Sequence, residues 1–320
     1  MAYDVAALGE LLIDFTQNGR SEQGNLIFEA NPGGAPANVL AMLRKLGHSC
    51  VFLGKVGADA FGDLLEDTLH SAGIDSRGLR RDTAAHTTLA VVQTFANGDR
   101  DFSFYRRPGA DVDLSADELD EDALRNCRIF HFGSLSLTDE PVRSATHRAI
   151  ALAREGGALI SYDPNLRRPL WQSDEQAKEQ ITWGFSQCDV LKIADNEIEY
   201  MFGTTDFDRG AALLQAQFPN IRLINITAGA DGSHAYYRDS RVYEPGCRLG
   251  GVIETTGAGD TFCASVLHFV LCNGLDNLTE QQLHAMLRFA NAAAYIVTTR
   301  RGAIRSMPEP AEVEAVLAKM

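Results

Sequence analysis

Short apolar segments alternate with amphipathic segments along most of the chain. Apolar runs bounded by turn residues predict buried strands, and they read DVAAL, CVFLGKVG, RIFHFG, ALISYD, DVLKIA and IRLINITAG. Between them, segments such as APANVLAMLRKLG and FGDLLEDTLHSAG repeat apolar residues at helical spacing and stop at Gly47 and Gly73, as helices do. The alternation predicts an α/β fold, a doubly wound and mostly parallel sheet with helices on both faces. Ligands of such sheets bind at the carboxyl ends of the strands.

Two segments interrupt this alternation. Residues 15–32 separate the first strand from the first helix and are too long for an ordinary connection of this kind. Residues 87–110 alternate apolar and polar positions around the turn sequence ANGD, which predicts a β-hairpin. We expect both segments to leave the main sheet and to form a small β-sheet, a lid over the ligand site. They would be insertions in one domain that covers residues 1–320.

The chain is acidic, with 29 lysine and arginine residues against 43 aspartate and glutamate residues and a net charge of −14. Such a surface repels polyanions, so we expect no nucleic-acid partner. No apolar run approaches the length of a membrane span, and the N-terminus lacks the basic start of a signal peptide. We therefore expect a cytoplasmic protein without membrane contact. The six cysteines form no C-x-x-C pair, which favours reduced, packed thiols over a disulfide framework or a zinc site.

The segment ETTGAGDTF, residues 254–262, combines a glycine turn, an aspartate and the start of an apolar helix. Glycines let an anion approach main-chain N–H groups, and the amides at a helix start lie at the positive end of the helix dipole. Asp260 would lie in the first turn, where it could cap the helix or accept a proton from a substrate. The spacing alone fits both roles. The motifs of P-loop proteins, protein kinases, zincins and serine hydrolases are absent from the sequence.

A second glycine cluster, NPGGAPANVLAMLRKLG, opens the first predicted helix. Gly33 and Gly34 allow a ligand to approach the backbone, and Pro36 suits an early helical position. Asn38 offers amide donors and an acceptor, as hydroxyl recognition requires, although a turn-stabilising role also fits.

The two clusters together resemble the signatures of the ribokinase-like, or PfkB-type, carbohydrate kinases. GGAPANVLAMLRKLG followed by FLGKVGADAFG is similar to the N-terminal signature, and ETTGAGDTF is similar to the C-terminal one. Matching segments fill the interval: GELLIDF, FSFYRRPGAD, HFGSLSL, SYDPNLRRPLW, DVLKIADNEIEYMFG, ITAGADGS and ANAAAYIVTTRRGAI. The resemblance covers essentially the whole chain and is strongest to the fructokinase branch.

This resemblance implies an enzyme that transfers the γ-phosphoryl group of ATP, with Mg²⁺, to a hydroxymethyl group of a sugar. For the fructokinase branch the product is fructose 6-phosphate. Asp260 is then the catalytic base, and the amides of Gly257, Ala258, Gly259 and Asp260 form the anion hole. The chemistry is coherent, since oriented amides and Mg²⁺ stabilise a phosphoryl-transfer transition state that spreads its charge over equatorial oxygens.

The resemblance also implies binding residues. Those expected to bind the sugar are Asp14, Gly33, Gly34, Asn38, Phe104, Arg106, Asp163, Asn165 and Arg167. Those expected to bind the nucleotide are Lys192, Thr227, Gly229, Gly232, Gly257, Gly259 and Asn291.

Two positions depart from the family pattern. Glu197 matches the acidic end of an N-x-x-E motif that orders Mg²⁺ through water, but Ala194 stands where the Asn is expected. Glu254 stands where the C-terminal signature usually begins with Asp, a residue that helps to bind K⁺ in many members. Binding of K⁺ near Glu254 and Thr256 is therefore a hypothesis.

Several alternatives remain open at this level. A 2-keto-3-deoxygluconate kinase must bind a substrate carboxylate, and the adjacent Arg106 and Arg107 would suit one. A ribokinase and an inactive sugar-binding sensor are two further hypotheses. The intact G-x-G before Asp260 argues against the sensor. A homodimer formed through the lid is an expectation by analogy only.

Overall fold

The computed structural model describes residues 2–94 and 100–320, so the turn predicted at residues 96–99 lies outside the described residues. In chain order, the described strands are β1 (Tyr3–Leu8), β2 (Leu12–Arg20), β3 (Leu26–Gly33), β4 (Cys50–Gly57), β5 (Asp75–Asp82), β6 (Leu89–Thr94), β7 (Arg100–Tyr105), β8 (Cys127–Gly133), β9 (Leu159–Asp163), β10 (Val190–Ala194), β11 (Leu223–Thr227), β12 (Ser233–Tyr237) and β13 (Ser240–Glu244). The described α-helices are α1 (Ala35–Lys45), α2 (Ala60–Ser71), α3 (Glu121–Arg125), α4 (Val142–Glu155), α5 (Asp174–Gln187), α6 (Asp195–Phe202), α7 (Phe207–Gln217), α8 (Ala258–Asn273), α9 (Glu280–Thr298) and α10 (Pro310–Leu317).

The main sheet contains nine strands in the order β13-β12-β11-β10-β9-β8-β1-β4-β5. Neighbouring strands are parallel from β5 to β11, whereas the pairs β11–β12 and β12–β13 are antiparallel. The chain passes from β1 outward through β4 and β5, then returns to β8 on the other side of β1. The strand order therefore reverses between β1 and β8, the place where such sheets bind ligands.

Helices cover both faces of this sheet, as predicted. Along β1, Val5 and Ala7 belong to the core on one face, with α1, α8 and α9, whereas Ala6 and Leu8 belong to the core on the other, with α4 and α5. A strand buried on both sides reads as a continuous apolar run, which explains the segment DVAAL. Among the described residues, no helix combines the length and the apolar character needed to cross a bilayer.

A second sheet of four strands has the order β3-β2-β6-β7. Strand β2 pairs antiparallel with β3 and parallel with β6, and β6 pairs antiparallel with β7. This small sheet is the β-layer expected from the two interrupting segments. It begins close to β1, since only residues 9–11 separate β1 from β2.

Three strands of the main sheet, β5, β12 and β13, are not among the predicted elements. Strand β5 reads DSRGLRRD and lies at one edge of the sheet, where charged side chains are tolerated and protect the open edge. The hydrophobic pattern alone therefore does not mark it as a strand.

Candidate active site

A cavity of about 250 Å³ lies where the carboxyl ends of β1, β8 and β9 meet the start of α8. Its walls include six of the residues predicted to bind a sugar: Asp14, Gly34, Asn38, Phe104, Asn165 and Arg167. The loop before α8 adds Gly257, Gly259 and Asp260. The small sheet closes one side, because Asp14 belongs to β2 and Phe104 to β7. We call this space the sugar-side cavity.

Asp260 lies in the first turn of α8 and is 7% exposed. The capping position is occupied by Gly257, and the Asp260 carboxylate instead accepts a hydrogen bond of 2.7 Å from Asn38 Nδ2 of α1. Burial raises the pKa of Asp260 to about 6, although the Asn38 hydrogen bond opposes this shift. The carboxylate is thus ionised near neutral pH and is a stronger proton acceptor than an ordinary aspartate.

Asn38 connects the two glycine clusters. Its Nδ2 donates to Asp260, while its Oδ1 is buried and has no hydrogen-bond partner among the described residues. A buried acceptor of this kind calls for a donor from a ligand. The backbone beside it is tightly packed, since Gly34 has φ of 123° and a Cβ there would collide with the Glu10 carbonyl.

The turn before α8 has the geometry of an anion site. Gly257 adopts φ of 80°, a left-handed conformation that favours glycine, and the first-turn amides that follow point out of the helix end. The Ala258 N–H is an exception, since it donates to the Thr255 carbonyl at 3.2 Å. The predicted contribution of Ala258 to the anion hole therefore requires that bond to open.

Lys192 of β10 lies directly behind this turn. A Cβ placed on Gly259 would be 3.1 Å from Lys192 Nζ, and the same ammonium is 3.1 Å from Asp163 Oδ2. Burial by itself would lower the pKa of Lys192, but the carboxylates of Asp163, Glu197 and Asp260 raise it above its usual range. A permanent positive charge thus adds to the amides at the anion site.

Two further carboxyl groups border the sugar-side cavity. Burial raises the pKa of Asp14 to about 7, with a contribution from the charges of Glu254 and Asp260 and an opposing one from Arg167. Burial also raises the pKa of Glu10 to about 7.

Glu10 is a site residue that sequence reasoning missed. Its Oε1 accepts a hydrogen bond of 2.9 Å from the Ala35 N–H at the start of α1, and its side chain lines the cavity. The segment GELLIDF contains both Glu10 and Asp14, and the family resemblance implies a role for Asp14 alone. Nothing in the strand pattern distinguishes the two.

A second cavity of about 260 Å³ lies on the other side of the α8 turn. Its walls include the predicted nucleotide-binding residues Thr227, Gly229, Gly232, Gly259 and Asn291. Apolar and aromatic side chains that the sequence did not indicate complete it: Val252, Phe262, Ala294 and Tyr295. We call it the nucleotide-side cavity. Both cavities are lined by Thr255 and Gly259, so ligands in the two would meet at the anion site.

Both polar atoms of the Asn291 side chain are hydrogen-bonded within the protein. Its Nδ2 donates to the carbonyls of Glu244 and Pro245, both at 3.1 Å, and its Oδ1 accepts from Ser233 Oγ at 2.9 Å. The Asn291 side chain therefore lines the cavity and fixes the end of β13, and its binding of the nucleotide stays a prediction.

Arg106 also differs from the prediction that it reaches the sugar. Its Nε donates to Asp111 Oδ2 at 2.7 Å, Nη1 to Thr138 Oγ1 at 3.0 Å and Nη2 to the Leu135 carbonyl at 2.9 Å. The guanidinium is buried and does not line the sugar-side cavity. The physical reason is Asp111, whose buried carboxylate pairs with Arg106. Arg106 and Arg107 both line an outer groove with Trp171.

Gly33 and Asp163 lie just outside the walls of the sugar-side cavity. Gly33 packs against Asp14, since a Cβ there would be 2.7 Å from Asp14 Oδ2. Asp163 is 2% exposed and bound to Lys192, and its Oδ1 also accepts the Asn165 N–H at 3.1 Å. Both residues therefore support their neighbours rather than line the cavity.

Glu197 is engaged by the backbone. Its Oε1 accepts the Leu166 N–H at 2.7 Å and its Oε2 accepts the Ala194 N–H at 2.8 Å. Direct ligation of a metal would compete with these bonds. Each carboxylate oxygen still has a second lone pair, so the donor set of Glu197 and Asp163 fits a hydrated Mg²⁺ whose waters they accept.

The predicted K⁺ position contains oxygen donors of the right type. The Thr256 hydroxyl donates a hydrogen bond of 2.6 Å to Glu254 Oε1. Glu254 as a whole residue is 9% exposed. The Glu254 carboxylate, the Thr256 hydroxyl and the main-chain carbonyls of this turn are oxygen ligands, the type that a hard monovalent cation prefers.

The chain is similar to known carbohydrate kinases over nearly its whole length. The family model described as "pfkB family carbohydrate kinase" matches residues 2–310. The chain is 40% identical to probable fructokinase-2 of Arabidopsis thaliana over 98% of this chain and 95% of that one, and 40% identical to fructokinase-1 of Zea mays over 98% of each.

Solved structures with the same fold include fructokinases. One from Xylella fastidiosa with bound ATP has a TM-score of 0.89 and 29% identity over 99% of each chain. One from Vibrio cholerae O395 with fructose, ADP and calcium has a TM-score of 0.86 and 28% identity over 99% of this chain and 100% of that one. A double mutant of the Vibrio enzyme with fructose, ADP and potassium has a TM-score of 0.87, with 28% identity over 99% of each chain. The chain belongs to the pfkB family of carbohydrate kinases.

Proposed function

We propose that this kinase transfers the γ-phosphoryl group of ATP to the hydroxymethyl group of fructose and forms fructose 6-phosphate and ADP. The sugar occupies the sugar-side cavity and ATP the nucleotide-side cavity. The observation that carries the proposal is the anion site at their shared wall, with the Asp260 carboxylate beside it. The fructokinase relatives support the choice of substrate.

The charge of the sugar-side cavity favours a neutral sugar. Three carboxyl groups, those of Glu10, Asp14 and Asp260, line it, whereas Arg167 is its one cationic lining residue among the described parts of the chain. A keto-acid substrate would place its carboxylate against these groups. Among the described lining residues of the sugar-side cavity there is neither Arg106 nor Arg107, the pair that would suit that substrate.

Different residues bind the sugar, accept its hydroxyl proton and stabilise the charge of the transferring group. Asn38 Oδ1 and the Asp14 carboxylate accept hydrogen bonds from hydroxyl groups of the sugar and orient its hydroxymethyl group toward Asp260. As the hydroxyl oxygen bonds to the γ-phosphorus, the bond between that phosphorus and the β–γ bridging oxygen breaks, and the hydroxyl proton moves to Asp260. The amides of the turn and the Lys192 ammonium stabilise the charge on the transferring group.

Mg²⁺ would enter with the phosphates of ATP, held through water by Asp163 and Glu197. When bound, it neutralises charge on the β- and γ-phosphates. The Lys192 ammonium, 3.1 Å from Asp163 Oδ2, offsets part of the negative charge in this region.

The substrate assignment is tested by coupled measurement of ADP release over fructose, ribose, 2-keto-3-deoxygluconate, glucose and adenosine. We expect the highest kcat/KM with fructose. A preference for the keto-acid would overturn the fructose assignment alone. If none of the compounds supports turnover, the kinase assignment itself fails and the inactive sensor is favoured.

Replacing Asn38 with alanine should move the acid limb of the pH–rate profile upward. Asp260 must be ionised to accept a proton, so kcat falls as the pH drops below the pKa of about 6. The Asn38 hydrogen bond lowers that pKa, and its loss therefore raises the midpoint. The measurement is kcat against pH at saturating fructose, where weaker sugar binding does not contribute. Asn196→Ala, on the surface, is the control, and an unchanged or lower midpoint for Asn38→Ala would contradict the coupling.

Removal of K⁺ should lower the rate if the Glu254–Thr256 site binds it. The assay replaces K⁺ by a large organic cation at constant ionic strength, with fructose and ATP saturating. Glu254→Gln should reduce the dependence on K⁺, because it removes the charged ligand. A rate that does not change when K⁺ is replaced would refute this site.

The small sheet is the proposed lid, inserted twice into a single kinase domain. Asp14 and Phe104 of this sheet line the sugar-side cavity, which supports the proposal that closure of the sheet excludes water from the transferring group. Pairing of two copies through this sheet is a further proposal, which the mass in solution would test.

A further inference from the structure

The far ends of α1 and α8 bring together three side chains that can bind a metal ion. His48 follows α1, and its Nε2 is 2.8 Å from Nδ1 of His268 in α8. Cys272 lies one helical turn beyond His268, with its Sγ 3.8 Å from the same Nδ1. One ligand atom from each residue lies within 4.8 Å of the others. None of these groups contributes to the kinase site.

The spacing of these atoms is close to that of a tetrahedral site. With Zn–N bonds of about 2.0–2.1 Å and Zn–S bonds of about 2.3 Å, tetrahedral angles separate two nitrogens by roughly 3.3 Å and a nitrogen from sulfur by roughly 3.6 Å. The nitrogens of His48 and His268 would need to move apart by about half an ångström. The Cys272 sulfur is 3.8 Å from His268 Nδ1 and 4.0 Å from His268 Nε2, and it lies within 4.8 Å of the His48 ligand atom, so a small rotation of its side chain would complete the geometry.

The surroundings support ligation as well. The Nδ1 atom of His48 faces the Asp4 carboxylate at 3.8 Å, and metal-binding histidines commonly direct their second nitrogen to a carboxylate. Asp4 is itself fixed, since its carboxylate accepts hydrogen bonds from Ser49 and Arg128. Cys272 is exposed, whereas both histidines are partly buried, so an ion could enter from solvent on the cysteine side.

We propose that His48, His268 and Cys272 bind one Zn²⁺ ion, with the fourth position open to water. Two imidazoles and a thiolate select a borderline-soft transition metal and not Mg²⁺ or Ca²⁺. The sequence had favoured packed thiols without a zinc site, because the ligands are dispersed along the chain. His268 and Cys272 lie one helical turn apart, and the fold brings the third ligand, His48, to them from a position 220 residues before His268.

The bound ion would join α1 and α8 at the ends opposite to the contact between Asn38 and Asp260. Helix α1 carries Asn38 near its start and α8 carries Asp260 in its first turn, and these two residues are hydrogen-bonded. Zn²⁺ would therefore fix the relative position of α1 and α8. Binding to the folded chain also raises its thermal stability.

The test uses the full-length, reduced protein after chelator treatment, titrated with Co²⁺ without nucleotide or sugar. We expect a thiolate-to-cobalt absorption band that saturates at one equivalent and disappears when Zn²⁺ is added. Zn²⁺ should also raise the Tm. Neither readout depends on kinase activity, so failure here leaves the proposed function untouched.

Matched variants separate the site from other thiols and imidazoles. Cys272→Ser and His268→Gln should abolish the band, and Asp4→Asn should weaken Zn²⁺ binding by about 10- to 100-fold. Cys247→Ser and His70→Gln, outside the cluster, should leave the band unchanged. No thiolate band in the native protein, or a band that persists in Cys272→Ser, would overturn the proposal.

Discussion

Replacing Asp260 with asparagine should lower kcat by about 10²–10⁴, the usual cost of removing a general base. The change is nearly isosteric, and the asparagine oxygen can still accept the hydrogen bond from Asn38. The loss therefore reports the proton acceptor and not the packing. The measurement is steady-state ADP release, with fructose binding followed in parallel by calorimetry. Fructose should still bind, because Asp14 and Asn38 remain.

Asp260→Ala extends the test by removing both carboxyl oxygens, and it should be at least as severe. Asp276→Asn serves as the matched control, since that carboxyl group is exposed on the surface and pairs with Arg222. Turnover of Asp260→Asn at a rate close to that of the native chain would refute the assignment of the base.

Replacing Lys192 with methionine should destabilise the fold by about 3–5 kcal/mol, because it leaves buried carboxylates without their cation. Lys192 and Asp163 are 7% and 3% exposed in their side chains, so water does not replace the lost partner. We also expect a large fall in kcat, since the charge behind Gly259 is lost. Urea unfolding at constant pH measures the first effect and ADP release the second.

The pH dependence and a second variant distinguish this explanation from a packing defect. Burial raises the pKa of Glu197, and loss of the Lys192 charge raises it further, so protonation of Glu197 at low pH relieves part of the unpaired charge. The destabilisation should therefore be larger at pH 8 than at pH 5. Lys192→Met combined with Asp163→Asn should recover part of the stability but not the activity. Lys319→Met, at an exposed lysine, is the control. Equal destabilisation at both pH values would contradict the electrostatic origin.

The sequence predicted those parts of the fold whose signals are local. Helix α1 has regular apolar spacing between Gly34 and Gly47, and α8 follows a glycine turn, so both were found with their ends nearly correct. Strand β5 was not found, because its charged residues lie at the sheet edge and carry no alternating pattern. The family, predicted from the two glycine signatures, is confirmed by the match over residues 2–310.

Site residues were harder to predict where their role depends on distant partners. Arg106 was expected at the sugar, but its guanidinium binds Asp111, Thr138 and the Leu135 carbonyl, and the last two lie on another segment of the chain. Glu10 was missed because its effect depends on the start of α1, where it accepts the Ala35 N–H. Motifs report what a residue can do, while the partners it meets are set by the tertiary fold.

The remaining expectations stay predictions. They are the division into one domain with two insertions, the cytoplasmic location, the dimer and the roles of individual site residues.

The wall shared by the two cavities has a consequence for inhibitor design. Thr255 and Gly259 border both spaces, so only the thickness of one turn separates a bound sugar from a bound nucleotide. A bisubstrate compound that links a fructose-like polyol to adenosine through a short phosphate chain could occupy both at once. Its second half would bind at an effective concentration on the order of millimolar, set by the linker. Selectivity among sugar kinases would then come from the polyol end, where Glu10 and Asp14 border the space.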